Sequence, residues 1–88
     1  MDALFSGTLI AHELWGMALR GEDEQIVQVI WPAGYGARPV GDRYELLDAR
    51  GQRLALTGDV VEVGGGFVGD EVWYGCGGVR VTRPADEN

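Results

Sequence analysis

The sequence has no lysine, one histidine and one cysteine among its 88 residues. Because Cys76 has no cysteine partner, no disulfide can form within the chain, which fits a reducing compartment. Nucleophilic or acid–base catalysis needs several groups that converge on one point, and His12 and Cys76 are far apart in the sequence. We therefore predict that the protein is not an enzyme. We expect His12 at the surface and the thiol of Cys76 to be buried. An enzyme or metal protein that uses both residues is kept as an alternative.

Spacings that hold metals or phosphates are also missing. The acidic turn at residues 22–24 and the pair Asp70-Glu71 do not have the spacing of an EF-hand calcium loop, and no ligand cluster suits zinc. Glycines 64–66 match neither a P-loop nor a dinucleotide-binding pattern, and the charges near them are carboxylates. We predict no metal and no cofactor, and we interpret the three glycines as a bend or bulge in a barrel strand.

Basic charge is scarce: seven arginines face fourteen acidic residues, which gives a net charge of −7. A nucleic acid needs a basic surface that neutralises its phosphates, so it is not expected as a partner, and an anionic membrane is disfavoured for the same reason. An unknown protein or a small neutral or cationic ligand is compatible with this charge. The absence of lysine beside abundant glycine, alanine, valine and arginine is typical of a GC-rich bacterial genome.

Long apolar runs are absent as well. No run approaches the ~20 residues of a membrane span, and the first six residues have neither the basic start nor the apolar core of a signal peptide. The chain as written is therefore expected in the cytoplasm. An exported protein whose signal has been removed is the alternative.

What the sequence does contain is strand patterning, with apolar and β-branched runs that recur about every 8–12 residues. Residues 25–31 form the clearest run and end at Trp31-Pro32. After Gln25 they are apolar on both faces except at Gln28, which predicts a central strand. No amphipathic helix is evident, and residues 32–43 are predicted as the longest loop. The predicted strands are 4–10, 13–20, 25–31, 44–48, 52–57, 60–63, 72–74 and 79–82, the first two being also compatible with one long, bent strand.

Five to seven short strands with glycines at the bends favour an all-β fold: a small closed or partly open barrel, OB-like as first choice and SH3-like as second. Closure removes the sheet edges that would make a valine-rich chain aggregate. Residues 1–83 are predicted as a single barrel domain, since so short a chain cannot build a second core, and residues 84–88 as a polar tail. Alternation places one of Trp73 and Tyr74 inside, and we predict that it is Trp73.

The loop after the central strand is the candidate for a ligand- or partner-binding site. Trp31, Tyr35 and Arg38 combine two aromatic faces with a planar cation, and such surfaces anchor peptides, sugars or partner proteins. The alternative is that Trp31 and Tyr35 turn inward and cap one end of the barrel, because a domain this small needs its aromatic residues for the core. Binding predicts that at least one of the two rings is exposed beside a groove.

Six short motifs follow one another along the chain: Leu14-Trp15, Trp31-Pro32-Ala33-Gly34-Tyr35, Leu47-Asp48-Ala49-Arg50-Gly51, Gly58-Asp59, Gly64-Gly65-Gly66 and Cys76-Gly77-Gly78. Their order resembles that of a group of small uncharacterised bacterial β-barrel domains, several of them secreted or attached to lipoproteins. The resemblance covers residues 7–82 and implies no established activity. Members often carry a second cysteine near Leu14-Trp15 that could pair with the late one. Here that position offers His12-Glu13, so the resemblance implies that the disulfide is lost.

Besides the enzyme or metal protein that would use His12 and Cys76, two functions of different classes remain open. The first is a non-catalytic binding or interaction module of a bacterial protein, which presents the loop at residues 31–38 to a partner or a small ligand. The second is a structural or oligomerising domain, which forms a homodimer through a strand edge at Trp73 or at residues 79–81.

Overall fold

The structure is a computed structural model that describes residues 3–85. Every regular element in this range is a β-strand, and no helix here has the length and apolar character to cross a bilayer. Of the predicted polar tail, Ala85 donates its backbone N–H to the carboxylate of Asp59 at 2.8 Å, and residues 86–88 lie outside the described residues. The strands are β1 (Ala3–His12), β2 (Gly16–Arg20), β3 (Ile26–Ile30), β4 (Gly36–Val40), β5 (Arg43–Leu47), β6 (Arg53–Leu56), β7 (Val60–Phe67) and β8 (Val72–Arg83).

Five of these strands form a closed barrel in the order β1-β2-β3-β8-β7, which confirms the prediction of a small all-β barrel. Neighbouring strands are antiparallel except for β3 and β8, which run parallel and pair over three residues from Gln28↔Val72 to Ile30↔Tyr74. The predicted central strand is therefore confirmed, because β3 lies between β2 and β8. Its alternate residues Val27 and Val29 are buried in the barrel.

The other three strands form a separate sheet, β4-β5-β6, which is inserted in the chain between β3 and β7. The hairpin predicted over residues 44–57 is confirmed as β5 and β6, and Asp48 holds its turn by accepting the backbone N–H groups of Arg50 and Gln52 at 2.9 and 3.0 Å. The long loop predicted over residues 32–43 is wrong, since β4 occupies its second half and pairs with β5.

Pro39 explains why β4 escapes a sequence-based prediction. Proline has no backbone N–H and is tolerated only at a sheet edge or a bulge. Its cross-strand partner Tyr44 directs both backbone groups to the opposite side, where they bond with Thr57 at 3.2 and 2.9 Å. In an antiparallel pair, residues directly opposite each other point their backbone groups either both toward or both away from one another. Because the groups of Tyr44 point away from β4, the nitrogen of Pro39 points away from β5. The edge of this sheet can therefore contain a proline without losing a ladder hydrogen bond.

The glycines of the last two barrel strands do not end them, contrary to the prediction of breaks after residues 63 and 74. β7 continues through glycines 64–66 and shifts register between Val63 and Gly65, as a β-bulge does. Gly65 has φ of +152°, and a Cβ on it would lie 1.9 Å from the carbonyl oxygen of Tyr74. The bulge that was predicted here is thus present, but inside one long strand.

Three further predictions concern the barrel strands: two are wrong and one is confirmed. Residues 4–20 are not one bent strand; β1 and β2 form a hairpin whose turn takes up residues 13–15. Trp73 is inside the barrel as predicted, with 2% of its surface exposed. The thiol of Cys76, predicted as buried, is exposed, because alternation along β8 places Trp73 and Gly75 inward and the even-numbered residues outward.

Candidate functional site

The two aromatic residues of the predicted site pack against the barrel core and keep part of their surface exposed. Trp31 follows β3 directly, and its indole N–H donates to the backbone carbonyl of Met17 on β2 at 2.9 Å. The ring of Tyr35 is nearly parallel to that of Trp31, with centroids 6.4 Å apart and 15° between the planes. Neither ring is fully buried, and neither is free of the core, so they act as a half-covered aromatic pair.

The loop that carries these rings has a fixed conformation. The backbone N–H of Tyr35 donates to the carbonyl of Pro32 at 3.2 Å, which closes a turn. Between them, Gly34 has φ of +88°, and a Cβ there would lie 2.8 Å from the Cβ of Ala49 in the turn between β5 and β6. A side chain at residue 34 would be strained and would also clash. The loop is thus seated closely against the three-stranded sheet.

Arg38, the third predicted residue, is bound to a buried carboxylate. Its guanidinium pairs with Oε1 of Glu45, and Arg53 pairs with Oε2 of the same carboxylate at 3.0 Å. Glu45 is only 2% exposed, and a buried carboxylate is tolerated when it is paired and hydrogen-bonded. Arg38 on β4 lies directly opposite Glu45, whereas Arg53 on β6 lies opposite Leu47, two residues further along β5. Arg38 therefore has a structural task, and its role in ligand binding stays a prediction.

A groove of about 400 Å³ lies next to this loop, between the far end of the first hairpin and the three-stranded sheet. The hairpin supplies His12 and Met17, and the sheet supplies Ala37 and Tyr44. The hydrogen bond from Trp31 fixes the backbone of Met17 at this wall. We call this the hairpin–sheet groove. Its full lining is Ala11, His12, Glu13, Gly16, Met17, Ala37 and Tyr44.

Sequence reasoning missed most of this lining. Two of the predicted residues adjoin the groove without lining it. Trp31 donates a hydrogen bond to the backbone of Met17, which lines the groove, and Arg38 follows Ala37 on β4. The signal available in the sequence was the strand beginning at Tyr44, which was recognised. The position of that strand across the groove from the first hairpin depends on contacts between distant parts of the chain, and no local pattern encodes them.

His12 is held by its own turn. Its Nδ1 accepts the backbone N–H groups of Leu14 and Trp15 at 3.1 and 3.3 Å, and its ring stacks on Trp15 with centroids 4.3 Å apart. With Nδ1 engaged as an acceptor, the neutral ring carries its proton on Nε2. Cys76 lies on β8, which pairs with β3 and β7 and with neither strand of the hairpin that carries His12. Within the described residues, no group of three or more His, Cys, Asp or Glu side chains is placed to hold a metal ion.

No protein-family model matches the chain, and no curated protein or solved structure is significantly similar to it. The resemblance to small bacterial domains therefore stays a prediction. The function has to be argued from the geometry of the chain itself.

Proposed function

We propose that this chain is a non-catalytic interaction module, and that the hairpin–sheet groove binds a small neutral or cationic ligand or a side chain of a partner protein. The observation that carries the proposal is the pair of supports behind the groove. Trp31 fixes the backbone of Met17 on one wall, and the Glu45 ion pairs hold together the sheet that provides the other. A groove whose walls are held in place binds with little ordering cost.

The lining supports an aromatic or apolar ligand without negative charge. Tyr44 is 44% exposed and offers a ring with a hydroxyl, while Ala11, Met17 and Ala37 provide apolar surface. Glu13 is the one carboxylate residue of the lining. Apolar walls with a few polar groups are typical of small-molecule sites. The net charge of −7 adds to the preference against anions and against nucleic acids.

The order of the strands supports an OB-like barrel as the finer description of the fold. Five barrel strands close through a parallel contact between the third and the last, and the three-stranded sheet is an insertion between the third and fourth. OB folds bind ligands on the face of their second and third strands and at adjoining loops, among them the loop between the first two strands. In this chain that loop begins at His12 and Glu13, which line the hairpin–sheet groove.

For the alternative, a homodimer through a strand edge, one of the two predicted edges is already paired within the chain. Trp73 pairs with Val29 on one side and with Phe67 on the other, so its backbone is already occupied. Residues 79–81 pair with β7 on one side, and a dimer through their other side is the version that remains.

Titration with three compounds of similar size and different charge tests the groove: benzylammonium, benzyl alcohol and benzoate. Amide chemical shifts of the ¹⁵N-labelled protein report the position of binding. We expect benzylammonium and benzyl alcohol to shift Gly16, Met17 and Ala37, and benzoate to have the weakest effect. The substitution Tyr44→Ala should abolish these shifts.

Tyr74→Ala is the matched control, since Tyr74 is similarly exposed at 49% but lies on β8. This variant should bind as the original protein does. Equal losses in the two variants, or shifts that map elsewhere, would contradict the proposal. Light scattering over a range of protein concentrations decides the alternative, since a dimer at micromolar concentration with no response to the three compounds would favour the oligomerising domain.

A further inference from the structure

A second groove, of about 460 Å³, lies at the opposite end of β1. Phe5 near the start of this strand and Phe67 at the end of β7 form its apolar wall, with Val27 beside them. Glu22 and Asp23, from the turn between β2 and β3, form its polar side. Phe5 and His12 are seven residues apart on an extended strand, or about 23 Å. This groove, which we call the mouth groove, is therefore separate from the hairpin–sheet groove.

The aromatic wall of the mouth groove is rigid. Phe5 and Phe67 meet edge to face, with centroids 5.7 Å apart and 81° between their planes. Both rings also contact Trp73, at 5.4 and 4.9 Å between centroids. Trp73 is almost fully buried, whereas Phe67 remains 52% exposed. A buried ring thus fixes two further rings that reach the surface, and the wall is in place before any ligand arrives.

The acidic side is also ordered. The backbone N–H of Gly21 donates to the carbonyl of Gln25 at 2.9 Å, and Oδ1 of Asp23 accepts the N–H of Gln25 at 3.1 Å. Glu24 is engaged with Arg20 at 3.6 Å. Within the described residues, Glu22 has neither a hydrogen bond nor an ion pair, so its carboxylate is available to a ligand.

We propose that the mouth groove binds an arginine side chain of a basic partner peptide. A guanidinium stacks on an aromatic face and pairs through its edge with a carboxylate, and here the two kinds of group line one groove. The net charge of −7 favours the approach of a basic partner. An aliphatic partner would leave the Glu22 carboxylate desolvated and unpaired, which disfavours it. This inference does not depend on the function proposed for the hairpin–sheet groove.

The probe is the capped peptide acetyl-Gly-Arg-Arg-Gly-amide, compared with versions in which lysine or citrulline replaces arginine. Citrulline keeps the planar shape of arginine and removes its charge. We expect the arginine peptide to shift the amides of Gly21, Asp23 and Phe67 and the indole N–H of Trp73. The lysine peptide should bind more weakly, because its ammonium pairs as a point charge without stacking, and the citrulline peptide should not bind.

Two variants separate the aromatic contribution from the ionic one. Phe67→Ala should weaken binding of the arginine peptide by about 3- to 30-fold, the range that one cation–π contact gives, with Tyr44→Ala in the other groove as its control. Glu22→Gln should also weaken binding and reduce its dependence on salt, whereas Glu13→Gln removes the same charge at the far end of the barrel and should have little effect.

Glu22 is exposed, so its replacement does not threaten folding, and the test stands even if Phe67→Ala unfolds. Three results would overturn the proposal: equal losses from Glu22→Gln and Glu13→Gln, which indicate general electrostatic attraction; binding of the citrulline peptide as tight as that of arginine; or chemical shift changes that map to the hairpin–sheet groove.

Discussion

Trp31 donates its indole N–H to the backbone carbonyl of Met17 at 2.9 Å, which links the end of β3 to the start of the neighbouring strand β2. Trp73 differs in this respect. Its indole nitrogen is buried and has no hydrogen-bond partner among residues 3–85. One tryptophan therefore uses its polar atom to stabilise the fold, while the other carries a buried donor that costs free energy.

Replacing each tryptophan by 3-benzothienylalanine tests this difference, because sulfur then stands in place of the N–H with little change of shape. At Trp31 the change should lower the free energy of unfolding by about 0.5–1.5 kcal/mol, the net value of one hydrogen bond. At Trp73 it should be neutral or raise the free energy of unfolding by up to about 1–3 kcal/mol, since an unsatisfied donor is removed. Urea unfolding of the two semisynthetic proteins provides the measurement. Equal destabilisation at both positions would show that Trp73 has a partner.

The ion pairs of Glu45 predict strong non-additivity. Arg38→Met or Arg53→Met alone leaves the buried carboxylate with one guanidinium, and since both arginines are more than half exposed, each single change should cost only about 0–1 kcal/mol. The double variant leaves a buried charge unpaired, which costs about 3–5 kcal/mol. A double-mutant cycle from chemical unfolding measures the coupling. Additive costs would mean that water replaces the arginines at Glu45.

Gly65 and Gly66 are adjacent and predict opposite outcomes. Gly65→Val places a Cβ against the carbonyl of Tyr74 and forces a side chain into a positive φ. We expect the backbone strain to lower the free energy of unfolding by about 1–3 kcal/mol, and the clash to lower it by about 1–3 kcal/mol more. A Cβ added at Gly66 would meet no atom within 4 Å beyond its chain neighbours, and its φ is not positive, so Gly66→Val should change stability by no more than about 0.5 kcal/mol. Thermal unfolding of the two variants compares them directly, and similar melting temperatures would refute a bulge that requires Gly65.

These glycines also show which features of the fold can be predicted from the sequence and which cannot. The three consecutive glycines correctly indicated a bend or bulge, because glycine in a strand marks close backbone approach. They also suggested, wrongly, that the strand ends there. A strand continues when the neighbouring strand supplies hydrogen bonds, and the contact of Gly65 with Gly75 of β8 comes from the register of the whole barrel. Local composition does not contain that register.

The candidate site was predictable only in part. Trp31 and Tyr35 were recognised as a pair, and their half-covered positions lie between the two alternatives that the sequence allowed. Arg38 was predicted as a cation open to a ligand, because residues 32–43 were expected to form a loop. In the structure Arg38 lies on a strand, and its partner Glu45 lies opposite it on the next strand. Cys76 was read as buried because single cysteines usually are, whereas the alternation of β8 is set by Trp73.

Pro39 predicts the solution behaviour of the exposed edge at β4. All five residues of this strand are exposed, and proline deprives the edge of a donor that another chain would need. Pro39→Val restores an outward N–H and a strong strand former, so this variant should associate at concentrations at which the original protein does not. Pro84→Val, beyond the end of β8, serves as the control. Static light scattering measures both, and a monodisperse Pro39→Val protein at the highest concentration would show that the proline does not guard the edge.

The parallel contact between β3 and β8 has a consequence for the order in which the molecule assembles. It spans only three residue pairs, and its partners, Gln28 and Val72 among them, are separated by half the length of the chain. Hairpins such as β1-β2 and β5-β6 can form from neighbouring segments, but this seam has to wait until both of its strands are positioned, because closing so long a loop is entropically expensive. The contact between β1 and β7 joins segments that are still further apart, but it spans six residue pairs. We therefore expect the three-pair seam between β3 and β8 to close the barrel last and to open first. Amide hydrogens along it will exchange with solvent through local openings that leave the hairpins intact.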